Sequence, residues 1–160
     1  MRKAGLIVVL LVALFAATTV VTAQPAGFYA ILSGDEEVPR ATTPAYGTAS
    51  FLVEAGGNSL RYYLTVVGIP NVFMAHIHIG APGQNGPVVL WLYPSAPPPV
   101  PIAGVTTGDI GAGVATRANL TGPLAGQPLS ALITAMAAGN AYVNAHTQQA
   151  PGGLIRGHIR

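Results

Sequence analysis

The 160-residue chain contains no cysteine. No disulfide can staple it, so it must hold together by burying apolar surface, which a chain of this length can do as one domain. Charge is scarce too, with Asp, Glu, Lys and Arg together making up 8% of the residues. The formal net charge of +2 resides in Arg2 and Lys3, because Arg40, Arg61, Arg117, Arg156 and Arg160 balance Asp35, Glu36, Glu37, Glu54 and Asp109. Beyond Lys3 there is no lysine and no basic cluster to grip phosphates, which argues against nucleic acid as a partner. Low charge combined with abundant apolar surface fits self-association or an unknown protein partner. There is no phosphate loop, no dinucleotide fingerprint and no Gly-x-Ser-x-Gly elbow around Ser33, Ser50, Ser59, Ser95 or Ser130. No nucleophile has a partner, so no catalytic residue is assigned and a non-enzymatic role is favoured.

What is present begins with Arg2-Lys3 and an apolar run from Ala4 to about Val21. Val21-Thr22-Ala23 then places small residues where a signal peptidase reads. Residues 1–23 are expected to be a secretory signal peptide, and residues 24–160 a single domain that is secreted, periplasmic or at the cell surface. The alternative is an uncleaved anchor, because the run approaches the ~18 apolar residues able to span a bilayer. Only then is the membrane a partner. No cysteine follows the run, which excludes a lipoprotein anchor.

The remaining chain reads as short strands punctuated by glycine and proline, which predicts an all-β, antiparallel Greek-key β-sandwich or barrel. Strands are expected over Phe28–Ser33, Tyr46–Glu54, Leu60–Val67, Val72–Ile79, Val88–Tyr93, Val114–Leu120, Ala141–His146 and Leu154–Ile159. Gly68-Ile69-Pro70-Asn71 is expected to turn, and Val88–Tyr93, nearly all apolar, to be buried on both faces. Gly104–Gly113 shows no decisive period. One short helix is expected from Pro128 to Ala138, where Leu129, Leu132, Ile133 and Met136 repeat at three and four residues and Gly139-Asn140 supplies an end.

The chemistry-bearing stretch is Met74 to Pro87. Strand alternation puts Val72, Met74, His76 and His78 on one face, the two imidazoles roughly 7 Å apart at the backbone. Gly80, Gly83 and Gly86, with Pro82 and Pro87, then force a turn. His146 closes another strand and lies on the face of Tyr142 and Asn144. His76, His78 and His146 are expected to converge at one end of the sandwich as metal ligands. Three imidazoles with an open position suit copper, cuprous or cupric; a closed structural zinc site normally needs four ligands. The competing reading is that His76 and His78 hydrogen-bond turn carbonyls. His158 is read as an exposed or edge residue, Arg156 as the partner of an acid or loop carbonyl, and Asp35, Glu36 and Glu37 as solvated acids. Asn85 and Asn144 are read as holding loop backbone.

Four stretches, Leu32–Pro39, His76–Pro87, Gly139–Thr147 and Pro151–Ile159, closely resemble the CHRD domain, the family named after the repeats of chordin. The resemblance covers essentially all of residues 24–160 and implies an exported domain acting through binding or assembly. More weakly, His76-Ile77-His78 before a glycine loop, and Tyr142–His146 before a last strand, resemble the copper-binding strands of copper/zinc superoxide dismutases. That resemblance implies a copper set of His76, His78 and His146 and a copper-binding or copper-redox role as the alternative function. It does not extend to a bridging histidine, a zinc loop, a cysteine pair or an arginine aligned with the one that guides superoxide. No other cofactor is expected. The signal reading has a direct check: intact-mass measurement on exported material is expected to show a chain starting at Gln24, and a mass retaining residues 1–23 would indicate an anchor.

Overall fold

A computed structural model describes residues 27–54 and 56–160, so the expected signal peptide and its cleavage point lie outside the described residues. Among the described residues there are eight strands: β1 Gly27–Ser33, β2 Tyr46–Val53, β3 Leu60–Pro70, β4 Val72–Ile79, β5 Val88–Tyr93, β6 Val105–Ala115, β7 Ala141–Thr147 and β8 Ile155–His158. All pair antiparallel in one sheet of order β5-β4-β7-β8-β1-β2-β3-β6. β7 returns to lie beside β4, a Greek-key crossing. The two sheet edges meet without a ladder. A Cβ on Gly111 of β6 would stand 2.7 Å from the Leu92 carbonyl oxygen of β5, and the Tyr62 hydroxyl donates to that oxygen at 3.4 Å. The sheet is therefore a nearly closed barrel, which leaves little unpaired edge.

Alternation explains the core. Ala49, Phe51 and Val53 of β2, Leu60, Leu64 and Val66 of β3, Ala75 and Ile77 of β4, and Val143 and Ala145 of β7 all enter one buried apolar cluster. The single α-helix among the described residues, α1 (Leu129–Ala137), adds Leu129, Leu132 and Met136 from one stripe. Gly139 N–H donates to Met136 O at 3.0 Å as the chain leaves the helix for β7. Among the described residues no helix is long and apolar enough to cross a membrane.

Several local expectations need correction. β3 continues through Pro70, because Ile69 is fully buried and pairs with Thr106; the reversal falls on Asn71 alone (φ 46°), whose side chain accepts from Gly104 N–H at 2.9 Å. The undecided Gly104–Gly113 segment is most of β6. Its glycines erase the alternation, and Gly113 leaves room where a Cβ would meet the Tyr62 ring at 3.1 Å. Val114–Leu120 is not a strand of its own. Only Val114 and Ala115 extend β6; Thr116 and Asn119 then form a capping box around a 3-10 turn at Arg117–Asn119, and Leu120 makes one bridge to Leu90. β5 is an edge strand, with Val88, Trp91 and Tyr93 half-buried.

In β4 the pairing slips between Val72 and Met74. This bulge at Phe73 turns Val72 into the apolar core with Ala75 and Ile77, off the histidine face. Leu64, fully buried at the centre of β3, provides a stability check. Leu64→Ala is expected to cost about 2–5 kcal/mol in denaturant unfolding, whereas Leu52→Ala on the half-exposed outer face should cost a small fraction of that.

Candidate metal centre

The outer faces of β4 and β7 carry the site. Since Ala75 and Ile77 point into the barrel, His76 and His78 point outward, and His146 does so from β7. Loops roof them, leaving His76, His78 and His146 only 2%, 8% and 4% exposed. The cluster thus lies on the outer face of the barrel wall, under loops. The glycine loop folds back on β4 so tightly that a Cβ on Gly86 would collide with the Ile79 carbonyl oxygen at 1.7 Å. That approach brings the Gly86 carbonyl to His78 Nδ1 at 2.9 Å, while the turn before β8 brings the Pro151 carbonyl to His146 Nδ1 at 3.0 Å.

A carbonyl can only accept, so these contacts put the proton on Nδ1 of His78 and His146 and a lone pair on each Nε2. His76 Nδ1 lies 3.1 Å from His146 Nε2. Nε2 of His76 and of His78 are buried without any hydrogen-bond partner. One ligand atom from each of the three histidines lies within 4.8 Å of the other two. Two nitrogens 3.1 Å apart, each about 2.0–2.1 Å from a shared ion, would subtend about 100° at it, near a tetrahedral angle. The donor set and its spacing therefore fit a small transition-metal ion. The ring of Trp91, opposite His76 in the β4–β5 ladder, meets the His76 ring edge-to-face at 4.2 Å.

A second layer stands behind the imidazoles. Tyr142 stacks on His78 with centroids 4.9 Å apart and planes within 9°, and its hydroxyl accepts from Gly86 N–H at 3.0 Å. The Arg156 guanidinium lies 4.2 Å above the other partner of that stack, the Tyr142 ring. Arg156 is 1% exposed; it pairs with Glu37 Oε2 at 3.2 Å and donates to Gln84 O at 3.2 Å and to Asn85 Oδ1. Asn85 in turn donates to Val38 O at 2.9 Å, and Asn144 to Glu37 Oε2 at 3.2 Å. The pairing expected of Arg156 is present. Glu37 is not a solvated acid: it is 4% exposed and paired with the buried Arg156 cation. Asn144 holds this carboxylate instead of loop backbone. His158 sits half-buried on β8, flanked by β7 and β1 and so not on an edge; its ring lies 5.5 Å from Tyr142, outside the cluster.

Burial sets the electrostatics. It lowers His76 to about 3, with further lowering from His146 and His78. His146 falls to about 4, again mainly by burial and then by His78, against the opposing bond to Pro151. His78 is lowered by burial and by the Arg156 charge, against its bond to Gly86. All three imidazoles are neutral near pH 7, the form that binds metal. Glu37 is raised by burial despite the opposing pull of Arg156 and Asn144.

A roofed cluster of imidazoles on the wall of a Greek-key barrel marks a small β-barrel protein with a donor set suited to metal ligation. The CHRD domain profile matches residues 28–159, and the chain belongs to the CHRD domain family. No curated protein and no solved structure gives a match. The four stretches that carry the family resemblance meet around the cluster, supplying Glu37, His76 and His78, His146, and Arg156. Sequence reasoning missed Glu37, Trp91 and the stacking role of Tyr142. Tyr142 was legible from its period-two spacing to His146; Trp91 needed the β4–β5 pairing, and Glu37 carries no local signal.

Because the folded histidines bind protons less well than unfolded ones, their contribution to stability is present above about pH 6.5 and is lost as pH falls toward their folded values. The raised carboxyl of Glu37 acts in the opposite sense and softens this loss. In the metal-free protein, the His76 and His146 ring signals are expected not to titrate by NMR between pH 8 and 5, while thermal stability declines below pH 6.5. Titration of either ring near 6.5 would contradict the buried, neutral cluster.

Proposed function

We propose that this CHRD-domain protein is an exported, non-enzymatic binding module that holds one copper ion on His76, His78 and His146. The supporting observation is a set of buried imidazole nitrogens within 4.8 Å of one another, two of them aimed by carbonyls that fix the opposite nitrogen as donor. The Arg2-Lys3 start, the apolar run and Ala23 support export. Burial of every ligand below a tenth exposure supports storage, sensing or one-electron exchange over turnover of a bulky substrate. Bound copper would supply a one-electron redox couple; the protein would hold the imidazoles neutral, oriented and screened from water.

A second reading keeps the protein-partner or self-association role, and it rests on a different surface. Tyr29, Ile31, Tyr46, Leu52 and Tyr63 stand about half-exposed on the outer face of β1, β2 and β3, an apolar density unusual for a surface open to water. The two roles are compatible.

Equilibrium dialysis of residues 24–160 against copper and zinc tests the metal reading. One copper per chain is expected, with at least about 100-fold weaker binding after His78→Ala, which removes one of three ligands. Copper affinity unchanged in His78→Ala would contradict it.

A further inference from the structure

The inference concerns the charge of the ion and rests on the metal reading above. We infer that the cluster selects monovalent copper over divalent ions, through a neutral three-nitrogen donor set and a fixed cation, Arg156, built in behind His78.

The donor set comes first. Three imidazoles, neutral at physiological pH, bring no negative charge to the ion. The buried carboxylate of this region, Glu37, lies outside the cluster of ligand atoms, and its Oε2 is engaged by Arg156 and Asn144. Zinc normally completes four ligands, and cupric ion favours a tetragonal set of nitrogen and oxygen donors. Either would need added water or another group. The cuprous ion has a filled d shell, imposes no such geometry and is satisfied by three nitrogens. With ligands 2%, 8% and 4% exposed, the roof formed by Gly86, Pro151 and Trp91 leaves the site poor in water.

The field acts in the same direction. The Arg156 guanidinium stacks on Tyr142 and Tyr142 on His78, which places a permanent positive charge within about 9 Å of the His78 ring, the combined reach of the two stacking steps. Arginine keeps its proton under any ordinary condition. In a buried setting the repulsion on an ion of charge two is twice that on an ion of charge one. Glu37, paired with the guanidinium at 3.2 Å, offsets part of this field, so it acts as a counterweight. Removing its charge should sharpen the preference for the monovalent ion.

The test uses residues 24–160 without oxygen, with chromophoric chelators competing for Cu(I), Cu(II) and Zn(II) in turn at one pH. Wild type is expected to bind Cu(I) at least about 100-fold more tightly than Zn(II). Zn(II) within tenfold of Cu(I) overturns the selectivity while leaving a metal site in place. Failure to bind any of the three ions overturns the metal reading itself, and this inference with it. Glu37→Gln keeps the shape of the side chain and leaves the Arg156 charge unbalanced. It is expected to widen the Cu(I)-to-Cu(II) affinity ratio about tenfold, equivalent to about 59 mV upward for a one-electron couple. A ratio unchanged or narrowed in a folded Glu37→Gln protein overturns the electrostatic part. The wild-type comparison needs no variant, so the selectivity is decided even if that variant does not fold.

Discussion

A guanidinium buried to 1% exposure is costly without partners, and the loops of this protein are arranged to supply them to its two terminal nitrogens. Arg156 issues from β8 in the barrel wall. Its partners come from separate places: Glu37 after β1, Gln84 and Asn85 in the glycine loop after β4, and the ring of Tyr142 on β7. Satisfying one cation therefore pins two loops against the sheet. One of those loops delivers the Gly86 carbonyl to His78. Removing either member of a buried pair leaves the other charge stranded, so Arg156 and Glu37 are needed together even though such a pair is a modest net source of stability.

The cluster itself follows from two features of strands. Alternation sends His76 and His78 outward while Ala75 and Ile77 pack the core, and the β4–β7 register sets His146 opposite Met74, diagonal to His76. The rings are then oriented by backbone acceptors whose positions depend on tight turns, at Gly86 above all. Neutrality follows from the burial these loops impose: water is excluded, protonation is disfavoured, and Nε2 of His76 and of His78 are left without a hydrogen-bond partner. A polar cluster buried with unpartnered nitrogens is costly unless something occupies it. An ion bound to His78 Nε2 would relieve part of this tension.

Much of this was legible in the chain. Period-two alternation marks β1 to β4 and β7, the three-and-four spacing marks α1, and the shared face of His76 and His78 follows from their spacing alone. Other features depend on contacts between distant residues. β6 is hidden because Gly108, Gly111 and Gly113 replace the side chains whose alternation would have marked it, and those glycines are there to fit β5 and Tyr62. The bulge at Phe73 cannot be seen until β7 is laid beside β4. Glu37 looks like its neighbours Asp35 and Glu36; only the position of Arg156, far along the chain, distinguishes it. Local pattern thus singled out the three histidines, while the groups that orient and surround them emerged only from the fold.

The central claim is that the three histidines share one ion, and anomalous diffraction at the copper edge from crystals of the copper-loaded protein tests it most directly. The account predicts one strong peak per chain lying between His76 Nδ1, His78 Nε2 and His146 Nε2, about 2.0–2.1 Å from each nitrogen. A cluster without a peak in crystals that hold copper elsewhere, for example on half-buried His158, would contradict it.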